Sequence, residues 1–117
     1  MATSMERSAL HVEGKDDLYA IVNLLMRHGV DYENRRSELP ELREIGSCEK
    51  VLVGMETAVK TSTGRAIGFV LDADSPIENR WNAVRVRLQR VDVVVPGTPL
   101  PVGFVAESAK YKSTVGV

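Results

Sequence analysis

The run Ala66 to Leu71, AIGFVL, leads without a break into Asp72-Ala73-Asp74-Ser75-Pro76, and no other stretch limits the fold as much. Its apolar residues are continuous rather than alternating, which predicts a strand covered on both faces, as in a parallel sheet. Ser75-Pro76-Ile77-Glu78 has the form of a capping box with proline at the first helical position, so a helix is expected to start directly after Asp74. Two carboxylates therefore stand at the carboxyl end of a buried strand. The helix that follows carries an apolar stripe of Ile77, Trp81, Val84 and Leu88, and its other faces carry Arg80, Arg85, Arg87 and Arg90, a basic edge close to Asp72 and Asp74.

The rest of the chain repeats this alternation. Ser8 to Val12 reads as a first strand ending at Glu13-Gly14. Lys15 to Gly29 reads as a helix, with Leu18, Ile21, Val22 and Leu25 on one face. Asp16 and Asp17 suit the positive end of its dipole, and Arg27-His28-Gly29 suits its close. A polar loop, Asp31 to Pro40, precedes a short alternation at Leu42 to Ile45. Ser47 can cap a second helix with the stripe Val51, Leu52, Met55 and Val59, although Gly54 inside it costs about 1 kcal/mol of propensity relative to alanine. Beyond Arg90, strand-like pieces at Val91 to Val95 and Val102 to Ala106 are split by Pro96, Gly97, Pro99 and Pro101. The sequence stops at Val117 within an apolar, β-prone run, which leaves two expectations: a product shortened at its C-terminus, or a last strand that tucks into the sheet. The expected fold class is α/β, a Rossmann-like, mainly parallel central sheet flanked by helices.

A length of 117 residues suits one domain, here residues 1–117, since domains commonly run to about 100–150 residues. With 44% apolar and 26% charged residues the chain has the makings of a core. The net charge of −1 lacks the basic excess that would by itself announce a nucleic-acid binder, so partners must be argued from sites. One cysteine, Cys48, allows no internal disulfide, and the opening residues lack the basic-then-apolar order of a secretion signal. Every apolar run is interrupted by charge before the roughly 18–20 residues a bilayer requires. The expectation is a cytoplasmic protein with no membrane role.

In parallel α/β sheets, ligands bind at the carboxyl ends of the strands, where Glu13 and Asp72 both fall. If the first and third strands are neighbours, Glu13, Asp72 and Asp74 converge on one crevice. Their mutual repulsion is relieved if a hard divalent cation sits among them. Mg²⁺ takes one or two protein carboxylates, keeps several waters and leaves room for phosphate oxygens, and Mn²⁺ accepts similar oxygen ligands.

The segments HVEGKDD (His11 to Asp17) and GFVLDADSPIENRW (Gly68 to Trp81) resemble the TOPRIM domain, the catalytic fold shared by topoisomerases, bacterial primases and OLD-type nucleases. VEGKDDLYAIVNLLMRHG and LDADSPIENRWNAVRVRL look most like a small prokaryotic TOPRIM-like family of undefined function related to the OLD-type nucleases. The resemblance spans roughly Val12 to Leu88. It implies Glu13 as general acid or base and Asp72 and Asp74 as the Mg²⁺-binding D-x-D pair. Haloacid-dehalogenase-like phosphatases and many glycosyltransferases also use a D-x-D, but the former carry it on the first strand, whereas here it comes late.

Blander readings compete at several positions. Asp16 and Asp17 read first as helix-start residues, with Asp17 the better candidate for an auxiliary role. Lys15 could touch a phosphate or simply be solvated, and Arg80 and Arg87 share a face that could meet phosphates or simply be wet. Trp81 reads as core, His11 as a packed strand residue, His28 as a helix-end residue, and Cys48 as a small buried one. Tyr19, Tyr32 and Tyr111 lie in no motif for a tyrosine nucleophile. Two functions remain. One is Mg²⁺- or Mn²⁺-dependent phosphodiester chemistry on DNA or RNA. The other is a non-catalytic metal- or partner-binding module, working as a homo-oligomer or within a larger nucleic-acid-processing assembly.

Overall fold

A computed structural model describes residues 7–72, 77–100 and 103–117. Among them the elements run β1 (Ala9–Val12), α1 (Lys15–Arg27), a 3₁₀ turn (Arg36–Glu38), β2 (Glu41–Glu44), α2 (Cys48–Lys60), β3 (Ala66–Phe69), α3 (Ile77–Gln89), β4 (Val105–Glu107) and β5 (Thr114–Gly116). The strands form one sheet in the order β2-β1-β3-β5-β4. All neighbours are parallel except β4 and β5, which pair antiparallel at the edge. This is the α/β, Rossmann-like, mainly parallel architecture that alternating strand and helix signals predict. The capping residues Ser75 and Pro76 lie outside the described residues, as does Asp74.

Side chains alternate across the pleat, so the parallel register sends Ala9, His11, Ile67, Phe69 and Val115 to one face. Onto that face pack Val51, Leu52, Met55 and Val59 of α2 and Trp81, Val84 and Leu88 of α3, all buried. The predicted α2 stripe is therefore the observed one. Ile77, placed in the α3 stripe by spacing, is 39% exposed instead, because the helix begins there before its face has turned to the sheet. Trp81 is core, as expected, and its indole N–H donates to the Pro96 carbonyl at 2.8 Å.

The second face is covered less completely than the continuous AIGFVL run predicts. Ile67 and Phe69 are buried, Ala66 and Val70 are exposed, and Gly68 lies on the side of α1. A Cβ at Gly68 would meet Leu10 Cδ1 at 2.6 Å, so the glycine accommodates the leucine leaning across from β1. Leu18, Ile21, Val22 and Leu25 of α1 are only half-buried, and no α1 residue is fully buried. Between this helix and the sheet lies an apolar hollow of about 310 Å³ bordered by Leu10, Ile21, Leu25 and Leu42.

Two C-terminal expectations change. Val91 to Val95 is not a strand, although Val91, Val93 and Val95 are buried and Val94 is 87% exposed. The alternation is real, but no ladder forms. Val93 N–H bonds Leu88 O at the end of α3 (3.0 Å), and the Ser108 hydroxyl donates to Val91 O (2.6 Å). Near the C-terminus, Thr114–Gly116 does enter the sheet, between β3 and β4. Val105–Glu107 takes up part of the predicted Val102 to Ala106 piece, and Val102 itself lies outside the described residues.

No helix among the described residues is long and apolar enough to cross a membrane. Gly54 sits mid-helix, and a Cβ there would touch nothing within 4 Å. Gly54→Ala should therefore raise stability by about 0.5–1 kcal/mol, read as a higher urea midpoint with an unchanged slope.

Candidate functional site

β1 and β3 lie side by side, with His11 paired to Phe69, and Val70 N–H extends the ladder by donating to His11 O at 2.9 Å. This register brings the residues that follow the two strands together at one rim. Glu13 Oε2 accepts the backbone N–H of Asp72 at 2.5 Å. Arg80, in the first turn of α3, brings Nη1 to 3.8 Å from the same oxygen and donates to Asp72 O at 3.1 Å. The Glu13 and Arg80 side chains are only 16% and 18% exposed, so this cluster is semi-enclosed. On its other side Glu13 is tied to β2: its carbonyl accepts Gly46 N–H at 2.9 Å. Gly46 makes that turn at φ +120°, a backbone shape that L side chains rarely adopt.

A depression of about 500 Å³ opens at this rim, with Glu13, Asp16, Asp17 and Asp72 among its walls. Gly14 and Lys15 at the start of α1, and Ser47 and Cys48 at the start of α2, close it on two sides. Ser47 caps α2 by accepting Lys50 N–H at 3.2 Å, and Asp17 Oδ2 accepts Gly14 N–H at 3.1 Å. Asp17 thus has the capping duty of a helix-start residue, and Asp16 and Lys15 stand exposed beside it. Two helix N-termini and Arg80 bring positive potential to the carboxylates, and their partial charges also favour a bound anion. The repulsion among the acids is therefore relieved in part by the protein itself, with Arg80 of the expected basic edge contributing.

Asp74 lies outside the described residues, so the D-x-D pair is seen through Asp72 alone. Among the described residues no group of three or more His, Cys, Asp or Glu side chains could hold a metal ion. Glu13 and Asp72 at the strand ends, with Asp16 and Asp17 also in the walls, are hard oxygens beside an open volume. That set fits a hydrated Mg²⁺ or Mn²⁺ held through few protein oxygens and does not fit a closed all-protein cage.

Sequence reasoning did not place Gly46 and Ser47 at the rim. The signal was present in the short alternation at Leu42 to Ile45: once that stretch is a parallel neighbour of β1, its following turn must end beside Glu13. Cys48 is half-buried at the mouth of the depression and His28 caps the C-terminus of α1. Among known proteins, a family model described as Protein of unknown function (DUF3226) matches residues 7–117. No curated protein and no solved structure matches the chain.

Proposed function

The chain belongs to the DUF3226 family, and from the chemistry of its rim we propose that it carries out Mg²⁺- or Mn²⁺-dependent phosphodiester chemistry on nucleic acid, in the manner of a nuclease. The observation that carries the reading is the meeting of Glu13 with Asp72 at the ends of adjacent parallel strands, under two helix N-termini. The resemblance of HVEGKDD and LDADSPIENRW to TOPRIM segments supports it. Asp72 and Asp74, with Glu13, would hold the ion, which when bound supplies Lewis-acid polarisation of the phosphoryl group. Glu13 is fixed through Oε2, and its carboxylate holds or moves the proton at the attacking water. Arg80 keeps Glu13 oriented and balances its charge. The N-termini of α1 and α2, with Lys15, receive the phosphate oxygens.

One observation favours a second reading. Glu13 Oε2 is already engaged by Asp72 N–H and Arg80, as suits a scaffold that binds a cation or partner without turnover inside a larger assembly or a homo-oligomer. The two are separated by incubating the protein with Mg²⁺ or Mn²⁺ and end-labelled single- and double-stranded DNA and RNA, beside Asp72→Ala and Glu13→Ala. Metal-dependent cleavage that both substitutions remove supports the enzyme. Metal binding without any product supports the module, and cleavage indifferent to both substitutions rejects the rim as the site.

A further inference from the structure

A second cleft, of about 470 Å³, lies between α2 and the β1–β2 side of the sheet. Among the described residues its charged walls are Arg7, Arg43 and Arg65, with no Asp or Glu beside them in the lining. Arg7 precedes β1 and Arg65 precedes β3, so this cleft opens toward the strand ends opposite to the acidic rim. Arg7 donates through Nε and Nη2 to Leu39 O (3.1 and 2.9 Å), and Arg65 Nη1 donates to Arg7 O at 3.5 Å. These bonds help hold the two guanidiniums in place beside the cleft. Arg43 is bonded through Nε to Glu41, the acid that stands beside the cleft.

His11 also lines the cleft. It is only 9% exposed, its ring packs edge-on against Phe69 at 5.6 Å, and its Nε2 is buried with no hydrogen-bond partner among the described residues. Buried polar atoms are almost always satisfied, so an imidazole nitrogen left without a partner, on a side chain that shares this cleft with three arginines, calls for an explanation. Thr57, Thr61 and Ser62 add hydroxyls to the walls. Gly54 and Ala58, one helical turn apart on α2, keep the space open, and the Cβ that Gly54 lacks would have pointed into empty volume.

We propose that this cleft binds a phosphate group, free or as the monoester of a small molecule, with the Arg7, Arg43 and Arg65 guanidiniums as its charge partners and His11 Nε2 as the buried contact. Guanidinium forks match phosphate oxygens in pairs, and the cleft has the volume of a small-ligand pocket. The proposal is independent of the acidic rim.

The test is calorimetric titration of the full chain with inorganic phosphate, adenosine 5′-monophosphate and adenosine, together with the ¹⁵N resonance of His11 Nε2. Phosphate, the monophosphate or both should bind and move that resonance, and adenosine should do neither. Whether the free ion or the ester binds more tightly identifies the source of the phosphate. Arg43→Gln should weaken binding by about tenfold or more. Gly54→Leu should fill the cleft and abolish binding while leaving thermal unfolding unchanged or later, which separates a blocked site from a misfolded chain. Absence of heat and of a His11 shift at millimolar phosphate, binding indifferent to both cleft substitutions, or equal binding of adenosine would each overturn the assignment.

Discussion

Glu13→Gln and Asp72→Asn are each expected to lower metal-dependent cleavage by about 10²–10³-fold, the usual scale for removing a charged group that acts on the transition state. Glutamine at position 13 keeps an oxygen that can accept Asp72 N–H, the bond made at 2.5 Å in the parent, but it carries no charge and takes up no proton. Glu13→Ala removes the acceptor as well. If the rim works as proposed, the Gln and Ala variants lose similar activity and differ only in how firmly the turn after β3 is held. Initial rates at saturating Mn²⁺, with thermal unfolding recorded in parallel, check this. A Gln variant retaining most of the parent rate would remove Glu13 from the chemistry and leave it a purely structural tie.

Phe69→Ala should cost about 3–5 kcal/mol of folding stability, because it opens a cavity where α2 and α3 meet the sheet. Phe69 is 1% exposed in the same cluster as Met55, Val84 and Leu88 and holds the edge of His11. For a domain whose total stability is about 5–15 kcal/mol, that is a large share of the whole. Ile77→Ala, also on an apolar residue but 39% exposed, is expected to stay within about 0.5 kcal/mol of the parent. Urea unfolding of the two variants under one set of conditions gives the comparison. Equal losses would contradict the observed packing of α3.

Much of the architecture can be read from local patterns. The Val51, Leu52, Met55 and Val59 stripe needs only the helical period, and Glu13-Gly14 and Asp72 need only the rule that apolar runs end at the sheet rim. What escaped reading depends on distant partners. Val91, Val93 and Val95 alternate like a strand, yet their segment is held by Leu88 O and by the Ser108 hydroxyl, and no local signal distinguishes such an anchored loop from a ladder. Thr114–Gly116 becomes an inner strand only because β4 folds back beside it, and the Pro96 to Pro101 region hides that return. Arg7, Arg43, Gly54 and Arg65 carry no shared motif. Their assembly around His11 follows from strand order and from which face of α2 meets the sheet. At the rim, sequence places the acids and an arginine edge that includes Arg80, but not the approach of Arg80 to Glu13 or the second helix start that converges there.

The thin covering of the sheet by α1 bears on the timing of events at the acidic depression. A helix with no fully buried residue sheds less apolar contact on lifting away than α2 or α3 would, so its local opening is expected to cost less free energy than opening the body of the domain. Gly14, Lys15, Asp16 and Asp17, at the start of this helix, would travel with it. One wall of the depression is thus hinged to the most easily detached layer of the fold, while Glu13, Asp72 and Arg80 stay with the sheet and α3. Entry and departure of whatever occupies the depression can then proceed at the pace of a local breathing motion, without loosening the core.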